Sequence, residues 1–287
     1  MNGTKPTERS VTSRDGTSIA FEQSGSGPAV VLVASALSDR SDTRKLAALL
    51  APEFTVVNYD RRGRGASGDT APYAVQRAIE DIDALIEAVG GSASVFGSSS
   101  GAILGLEAAN RLGTRVERLA MYEPPLIVDD SRPPIDEAFV ARIEELLAAD
   151  RRGDVVRLFM SKGLGVPGLG VALMRFMPGW RAMVEMAHTL PYDLAITRDV
   201  QTGRPLLAER WQSVESPVLV MTGGKSEAYF QAGARSLAAI LRNAEHRILD
   251  GQHHGSVVMG PKVIAGELRR FYAAGTGVGA AAAGSVG

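Results

Sequence analysis

The chain has 287 residues, 45% hydrophobic and 22% charged, a composition that excludes a collagen-like filament, a coiled coil and a wholly disordered chain. Lys and Arg number 31 against 32 Asp and Glu, so the formal net charge of -1 gives no electrostatic reason to bind nucleic acid. The absence of cysteine excludes disulfides, thiolate zinc sites and cysteine nucleophiles.

The longest apolar run, residues 28–34, is much shorter than the roughly 20 residues that span a bilayer. Residues 1–9 lack the apolar core of a signal peptide. We therefore expect a cytoplasmic protein that binds neither membrane nor nucleic acid and acts on a small-molecule partner. The sequence leaves the oligomeric state open between a monomer and a homodimer.

The first predicted elements are two short strands, residues 10–13 and 18–22, joined by an Asp15-Gly16 turn that is typical of a β-hairpin. Short apolar runs of the kind that is buried on both faces of a sheet follow along the chain. They are residues 29–33, 55–59, 94–96, 119–122, 218–221 and 246–249. Six such runs predict one parallel sheet with the hairpin as its antiparallel edge.

Helical patterns separate the first four of these strands. Residues 74–89 place Ile82, Leu85 and Ile86 on one face, and residues 101–112 form a second helical pattern. Strand and helix in alternation predict right-handed crossovers with helices on both faces of the sheet. The predicted fold class is therefore α/β, with a mostly parallel central sheet flanked by helices.

The alternation stops in residues 124–205, where segments such as residues 136–149 have a helical pattern with no strand between them. This pattern predicts an inserted helical subdomain, with residues 1–123 and 206–274 as the core. Residues 275–287 are rich in Gly and Ala and predict a disordered tail.

The insertion is rich in flexible and aromatic apolar side chains. They either line an adaptable pocket or only pack helix against helix, and the sequence leaves both interpretations open. These side chains are Met174, Phe176, Met177, Trp180, Met183 and Met186.

A candidate nucleophile follows the strand of residues 94–96. Residues 97–101 read G-S-S-S-G and stand between that strand and a helix. Such a turn would hold Ser99 in a strained conformation with its hydroxyl exposed, and Gly97 and Gly101 lack side chains that would collide. The amide of Ser100, at the start of the helix, can stabilise an oxyanion. The alternative is an ordinary helix N-cap turn.

A serine nucleophile needs a base, and the chain has four histidines. His188 lies in the insertion and His246 in a predicted strand, so we interpret both as structural or solvent-facing. His253 and His254 follow the last predicted strand. Functional side chains converge at that edge of a parallel sheet.

From about residue 10 to residue 272 the chain resembles the α/β-hydrolase family. The resemblance rests on residues 97–101 and on residues 59–67, Y-D-R-R-G-R-G-A-S, which are similar to the family's Y-D-x-R-G-x-G-x-S turn. It implies that Ser99 is the nucleophile and that residues 124–205 form the family's helical cap. In that family the histidine follows a glycine three positions earlier, which favours His254 over His253.

The acid, which is the third member of the implied triad, is assigned less directly. The family's acid most often follows the strand after the cap, but Ser226 stands at that position. Glu123 stands at the end of an earlier strand, where some haloalkane dehalogenases of the family place their acid, and Glu227 is adjacent to the vacant position. We favour Glu123 because a strand end presents a side chain more rigidly than a loop. The alternative for Glu123 is a structural brace beside Pro124 and Pro125.

The loop after the first parallel strand also departs from the family, which usually has His-Gly before the residue that donates the second oxyanion amide. Residues 33–37 read V-A-S-A-L. By position, Ala36 donates that amide and Ser100 the other. Without the glycine, the resemblance implies either a weaker oxyanion hole or an additional hydroxyl from Ser35.

Arg61, Arg62 and Arg64 form a basic turn that we interpret as holding a loop by hydrogen bonds to carbonyls rather than as binding phosphate. No dinucleotide fingerprint or P-loop opens a helix after the first strand. His253 and His254 are adjacent rather than spaced as metal ligands. We therefore predict no cofactor and no metal.

These features predict a Ser-His-Glu hydrolase of a small carboxylic ester or lactone. Carbon–carbon bond hydrolysis, perhydrolase activity, and a non-hydrolytic cyclase or ligand-binding protein are alternatives on the same fold. Dehalogenation and epoxide opening are disfavoured, because those reactions of the family use an aspartate where this chain has Ser99.

Overall fold

The computed structural model describes residues 6–274, and the predicted disordered tail, residues 275–287, lies outside the described residues. The strands of its central sheet are β1 (Thr7–Thr12), β2 (Ser18–Ser24), β3 (Ala29–Val33), β4 (Thr55–Tyr59), β5 (Ala93–Ser98), β6 (Val116–Tyr122), β7 (Val218–Gly223) and β8 (Ala244–Leu249). Their order across the sheet is β1-β2-β4-β3-β5-β6-β7-β8.

Helices surround this sheet. The α-helices of the described residues are α1 (Arg40–Leu50), α2 (Val75–Glu87), α3 (Ser100–Leu112), α4 (Glu137–Ala148), α5 (Arg152–Leu158), α6 (Gly168–Met174), α7 (Trp180–Met186), α8 (Leu190–Thr197), α9 (Ala228–Ile240), α10 (Ser256–Met259) and α11 (Lys262–Ala273). None of the helices in residues 6–274 has the length and apolar character needed to cross a membrane.

Strand direction divides the sheet into two parts. β1 pairs antiparallel with β2, and β2 pairs antiparallel with β4. From β4 through β3, β5, β6 and β7 to β8, every neighbouring pair is parallel. The predicted hairpin edge and the predicted parallel sheet of six strands are therefore both confirmed.

Helices cover both faces of the sheet, which explains why inner parallel strands such as β3, β5 and β7 are buried on both faces, whereas the edge strand β8 is partly exposed. Successive residues of a strand point to opposite faces. Accordingly, Val31 and Val33 of β3 pack in a core cluster with α2, α3 and α9. Val30 and Leu32 pack in a second cluster with α1 and α11 on the other face.

Helices α4 to α8 lie between β6 and β7 and include the helix predicted for residues 136–149, observed as α4. We refer to residues 124–205 as the helical insertion. Most of its buried apolar side chains form one hydrophobic cluster, which includes Ile143, Val155 and Leu190. That cluster also contains Leu37 from the loop after β3, so the insertion packs directly over the carboxyl ends of the parallel strands.

Candidate active site

Ser99 occupies a sharp turn between β5 and α3. Its backbone has φ 53° and ψ -124°, a conformation that costs a non-glycine residue about 1–3 kcal/mol. A Cβ atom on Gly97 would lie 2.3 Å from the carbonyl oxygen of Gly101, and a Cβ atom on Gly101 would lie 2.5 Å from that of Ala34. The two glycines are therefore required at these positions, as the sequence predicts.

The Ser99 side chain does not cap the helix that it precedes. Ser99 stands at the N-cap position of α3 but makes no side-chain capping hydrogen bond, which argues against an ordinary N-cap turn. Its backbone amide donates to the carbonyl of Tyr122, at 2.9 Å. The Ser99 side chain lines a cavity, and α3 begins at Ser100 with the partial positive charge of a helix N-terminus, about half an elementary charge.

His254 and Glu123 come together although 131 residues separate them in the sequence. His254 Nδ1 lies 2.8 Å from Glu123 Oε2, and the imidazole stacks on the ring of Phe230 at 4.9 Å between centroids. With Nδ1 bound to a carboxylate, Nε2 is the nitrogen left for acid–base chemistry. His254 also lines the cavity that Ser99 lines.

The Glu123 carboxylate is fully buried and fixed on both sides. Its other oxygen, Oε1, accepts hydrogen bonds from the Gly223 amide, at 2.7 Å, and from the Ser226 hydroxyl. Ser226, at the position where the family most often has its acid, thus donates to Glu123, which follows the neighbouring strand β6. Glu123 has φ 48°, so the chain turns sharply where β6 ends.

The alternative acid has a different environment. The carboxylate of Glu227 is 55% exposed and pairs with Arg132 at 2.9 Å. His253 Nδ1 accepts a hydrogen bond from the Gly255 amide at 3.1 Å. Of the two acids and two histidines that the sequence leaves open, the structure brings Glu123 and His254 together.

The remaining histidines lie elsewhere. His188 is exposed, and its Nδ1 lies 3.0 Å from the carbonyl oxygen of Glu185. His246, on β8, bonds to the Thr222 hydroxyl at 2.8 Å. Burial and the nearby Arg235 lower the pKa of His246. The interpretation of both histidines as structural or solvent-facing agrees with these positions.

Two buried arginines hold the loop between β3 and α1. Arg64 donates to the carbonyls of Ser35, at 2.7 Å, and Ser38, at 3.0 Å. Arg61 donates to the carbonyl of Ala34 at 3.3 Å. The predicted role of the basic turn, hydrogen bonding to loop carbonyls, is therefore confirmed.

The same loop carries its unusual backbone angle at Leu37, with φ 53°, rather than at a glycine. The Ser35 hydroxyl, which the sequence offers as an extra oxyanion donor, hydrogen-bonds to the Ser38 hydroxyl at 3.0 Å. Ala36 lies between the anchored carbonyls of Ser35 and Ser38 and borders a small cavity together with Ser99 and Ser100. The two residues predicted to donate oxyanion amides, Ala36 and Ser100, thus lie around one space.

A family model described as "Alpha/beta hydrolase family" matches residues 30–267. The chain belongs to this family. A crystal structure of an alpha/beta hydrolase from Sphaerobacter thermophilus DSM 20745 is 51% identical and has a TM-score of 0.86, covering 92% of this chain and 100% of that chain. A hydrolase from Pseudomonas aeruginosa PA01 is 25% identical with a TM-score of 0.71, covering 94% of this chain and 99% of that one.

A shorter match joins the chain to an uncharacterized hydrolase, YraK, from Bacillus subtilis (strain 168). The two are 35% identical over 116 residues, which are 39% of this chain and 43% of that protein. The match therefore spans less than half the length of that relative. Taken together, the family and these relatives make the chain an alpha/beta hydrolase enzyme with the predicted fold.

Asp193 is a residue of the alpha/beta hydrolase that the sequence does not single out. It lies on α8, in the helical insertion, and is almost fully buried. Asp193 Oδ1 accepts from Arg61 and from the Ser100 hydroxyl, each at 2.7 Å, and Oδ2 pairs with Arg64. The one signal in the sequence was the basic turn, whose buried guanidinium groups require a carboxylate partner.

Opposite charges in the cluster of Asp193, Arg61 and Arg64 stabilise the ionised form of Asp193. Burial alone would raise the pKa of Asp193, but the guanidinium groups of Arg61 and Arg64 and the Ser100 hydroxyl hold it below its ordinary value. Burial and the nearby Arg61 lower the pKa of Arg64 to about 10. At neutral pH, Asp193 is therefore ionised and Arg64 remains charged.

The cavity that Ser99 and His254 line has a volume of about 380 Å³ and lies between the sheet and the helical insertion. Much of its wall is methionine: Met160, Met174, Met183, Met186 and Met259. Three of the six apolar side chains noted in the sequence thus line the cavity, whereas Phe176 and Met177 are exposed. Met174, Trp180 and Met183 also pack against the hydrophobic cluster of the insertion, so each interpretation accounts for part of the group.

Part of the cavity wall of the alpha/beta hydrolase is polar. Asp39, Ser41, Asp42 and Thr43, at the start of α1, contribute to it. Burial raises the pKa of Asp42. Among the described residues that line the cavity there is no lysine or arginine.

Metal binding would require several acidic or histidine side chains close together. Within residues 6–274 no group of three or more His, Asp or Glu side chains is arranged to hold a metal ion. His254 is instead paired with a single carboxylate, that of Glu123. The absence of metal and cofactor stays a prediction from the sequence.

Proposed function

We propose that this alpha/beta hydrolase cleaves a small, uncharged carboxylic ester or lactone with Ser99, His254 and Glu123 as its triad. The observation that carries the proposal is the 2.8 Å contact between His254 Nδ1 and the buried Glu123 carboxylate, on the wall of the cavity that Ser99 lines. A carboxylate at Nδ1 fixes the tautomer in which Nε2 accepts a proton, and it stabilises the imidazolium that forms.

In the first half of the proposed reaction the Ser99 hydroxyl attacks the carbonyl carbon while His254 Nε2 takes its proton. The amides of Ser100 and Ala36 donate to the oxyanion of the tetrahedral intermediate. Each such donor is worth about 2.7–4 kcal/mol of transition-state stabilisation. His254 then protonates the leaving alcohol, which leaves an acyl group on Ser99.

In the second half, water attacks the acyl group and His254 accepts its proton. Collapse of the second tetrahedral intermediate returns the proton to Ser99 and releases the carboxylic acid. We propose that the helical insertion acts as the cap, because its side chains form one wall of the cavity over Ser99. Flexible methionine side chains suit acyl groups of differing shape.

A fluorophosphonate probe tests the nucleophile directly. The Ser99 oxygen would attack phosphorus and displace fluoride, which leaves a stable adduct that mass spectrometry locates on one residue of the G-S-S-S-G segment. We expect the label on Ser99, its loss in Ser99→Ala and its retention in Ser98→Ala. Folded wild-type protein that takes up no label would favour a non-hydrolytic cyclase or ligand-binding protein instead.

The charge of the cavity predicts which acyl groups are accepted. Asp39 and Asp42 would repel a second carboxylate, and no lysine or arginine among the described lining residues would bind it. We expect kcat/KM for p-nitrophenyl butyrate to exceed that for p-nitrophenyl hemisuccinate, which has the same number of acyl carbons, by about tenfold or more, that is, by at least about 1.4 kcal/mol.

The matched control for this preference is Asp42→Asn, which keeps the shape of the side chain and removes its charge. In this variant the difference in kcat/KM between the butyrate and the hemisuccinate should be smaller than in the wild-type enzyme. Equal turnover of both esters by the wild-type enzyme would contradict a charge-selective cavity, while leaving the triad unaffected.

A further inference from the structure

We propose that Asp193 is a positioning residue that holds both amide donors of the oxyanion hole from the helical insertion. The inference rests on the proposed function, because an oxyanion hole is needed only if Ser99 attacks a carbonyl. It adds to that proposal a residue outside the triad and a reason why the insertion is required for the chemistry as well as for enclosing the substrate.

The first connection runs to the residue after the nucleophile. The Ser100 hydroxyl donates to Asp193 Oδ1 at 2.7 Å, and both side chains are almost fully buried. Ser100 is the first residue of α3, so its backbone amide has no partner within the helix. Anchoring its side chain to α8 fixes the peptide unit whose amide faces the developing oxyanion.

The second connection runs to the loop between β3 and α1. Asp193 accepts from Arg61 and Arg64. These arginines donate in turn to the carbonyls of Ala34 and Ser35, which precede Ala36, and of Ser38, which follows it. The carbonyls on both sides of Ala36 are thus tied to one carboxylate. This loop lacks the glycine of the family pattern, so side-chain contacts have to fix its backbone.

The cluster is assembled from distant parts of the chain. Asp193 lies 93 residues from Ser100, 129 from Arg64 and 132 from Arg61. Thr189, also in the insertion, accepts a further hydrogen bond from Arg64 Nε at 3.0 Å. Because Asp193 is the carboxylate that Arg61, Arg64 and Ser100 share, its removal releases both donor segments together.

The chain provides a matched control in the same basic turn. Arg62 donates to Asp81 with Nη2 at 2.7 Å and Nε at 2.8 Å, and both side chains are as deeply buried as those of the Asp193 cluster. Arg62 also donates to the carbonyl of Arg77 on α2 and to Asp15, away from the loop after β3. Asp81→Asn therefore disrupts a comparable buried ion pair without touching either oxyanion donor.

The test compares Asp193→Asn with Asp81→Asn in the full chain, using a p-nitrophenyl ester and urea unfolding. We expect Asp193→Asn to lower kcat by about 10²–10³-fold with little change in KM, since the lost interaction acts in the transition state. Asp81→Asn should lower the unfolding midpoint and leave kcat nearly unchanged. A trifluoromethyl ketone, which mimics the tetrahedral intermediate, should bind more weakly to Asp193→Asn in proportion to its loss of kcat/KM.

The sign of the effect separates positioning from charge. Asparagine removes a negative charge beside two guanidinium groups, so a purely electrostatic role predicts faster turnover, whereas a positioning role predicts slower turnover. Unchanged or raised kcat in a folded Asp193→Asn enzyme would overturn the inference, and so would a rise in KM alone.

A second variant covers the case in which Asp193→Asn does not fold. Ser100→Ala removes a single hydrogen bond to a charged group, and we expect about a tenfold loss of kcat. A folded Ser100→Ala enzyme with unchanged kcat would overturn the role of Asp193. Failure of the wild-type enzyme to react with a fluorophosphonate is a different result, because it would remove the proposed function and this role together.

Discussion

If the proposed triad operates, replacing His254 by alanine is expected to lower kcat for ester hydrolysis by about a million-fold, the size of loss that removal of the base causes in a serine protease. The reason is that His254, held by Glu123 at 2.8 Å, is the histidine on the wall of the cavity that Ser99 lines. Without it, the Ser99 hydroxyl has no group to accept its proton. Steady-state kinetics with p-nitrophenyl butyrate measure the loss.

His253 is the matched control for this prediction, since it is adjacent in the sequence and equally a histidine. Its ring nitrogen accepts from the Gly255 amide, a local contact within the loop. His253→Ala should therefore change kcat far less than His254→Ala. If the two variants lost activity to the same extent, or if His253→Ala lost more, the assignment of the base would be wrong.

Glu123→Gln is expected to lower kcat by about ten thousand-fold, because a glutamine in this place favours the wrong imidazole tautomer and cannot stabilise the imidazolium. Glutamine has nearly the same shape, so the fold should be retained. Glu227→Gln is the control, since the half-exposed Glu227 carboxylate pairs with Arg132 and not with a histidine. A large loss only in Glu227→Gln would reverse the assignment of the acid.

Substitutions of Ser226 in the Glu123→Gln background provide a second test of the acid. Ser226 occupies the position where the family most often has its acid, and its hydroxyl donates to Glu123. An aspartate at position 226 would bring a carboxylate close to His254. We expect Ser226→Asp to restore part of the activity of Glu123→Gln, whereas Ser226→Ala in the same background should restore none. Equal activity of the two double variants would show that a carboxylate at position 226 does not reach His254.

Elements that depend on neighbours in the sequence were predictable. Strands covered on both faces consist of short apolar runs, and the Asp15-Gly16 turn marked the hairpin, so the sheet followed from local patterns. The turn at Ser99 was recognisable from its local G-S-S-S-G pattern, and Gly97 is required by atoms of Gly101 and Ala102. The requirement for Gly101 was not local, because it comes from the carbonyls of Val33 and Ala34, which are distant in the sequence.

The contacts between distant segments were not predictable in the same way. Two choices, Glu123 or Glu227 and His253 or His254, remained open because register along β6, β7 and β8 decides which side chains meet, and Glu123 and His254 are 131 residues apart. Asp193 lay in a helical stretch with no motif, and its partners lie in another part of the chain. The basic turn indicated that partners existed without indicating where.

The attachment of α8 has a consequence for how small molecules reach the interior. Besides the Asp193 contacts, Tyr192 on α8 stacks on Tyr73 at 4.0 Å between centroids and donates to Asp69 at 2.7 Å, so this end of the insertion is fastened to the core. Met259 borders the cavity and yet is 72% exposed. The cavity therefore reaches the surface beside α10, where a small molecule can enter without displacing α8.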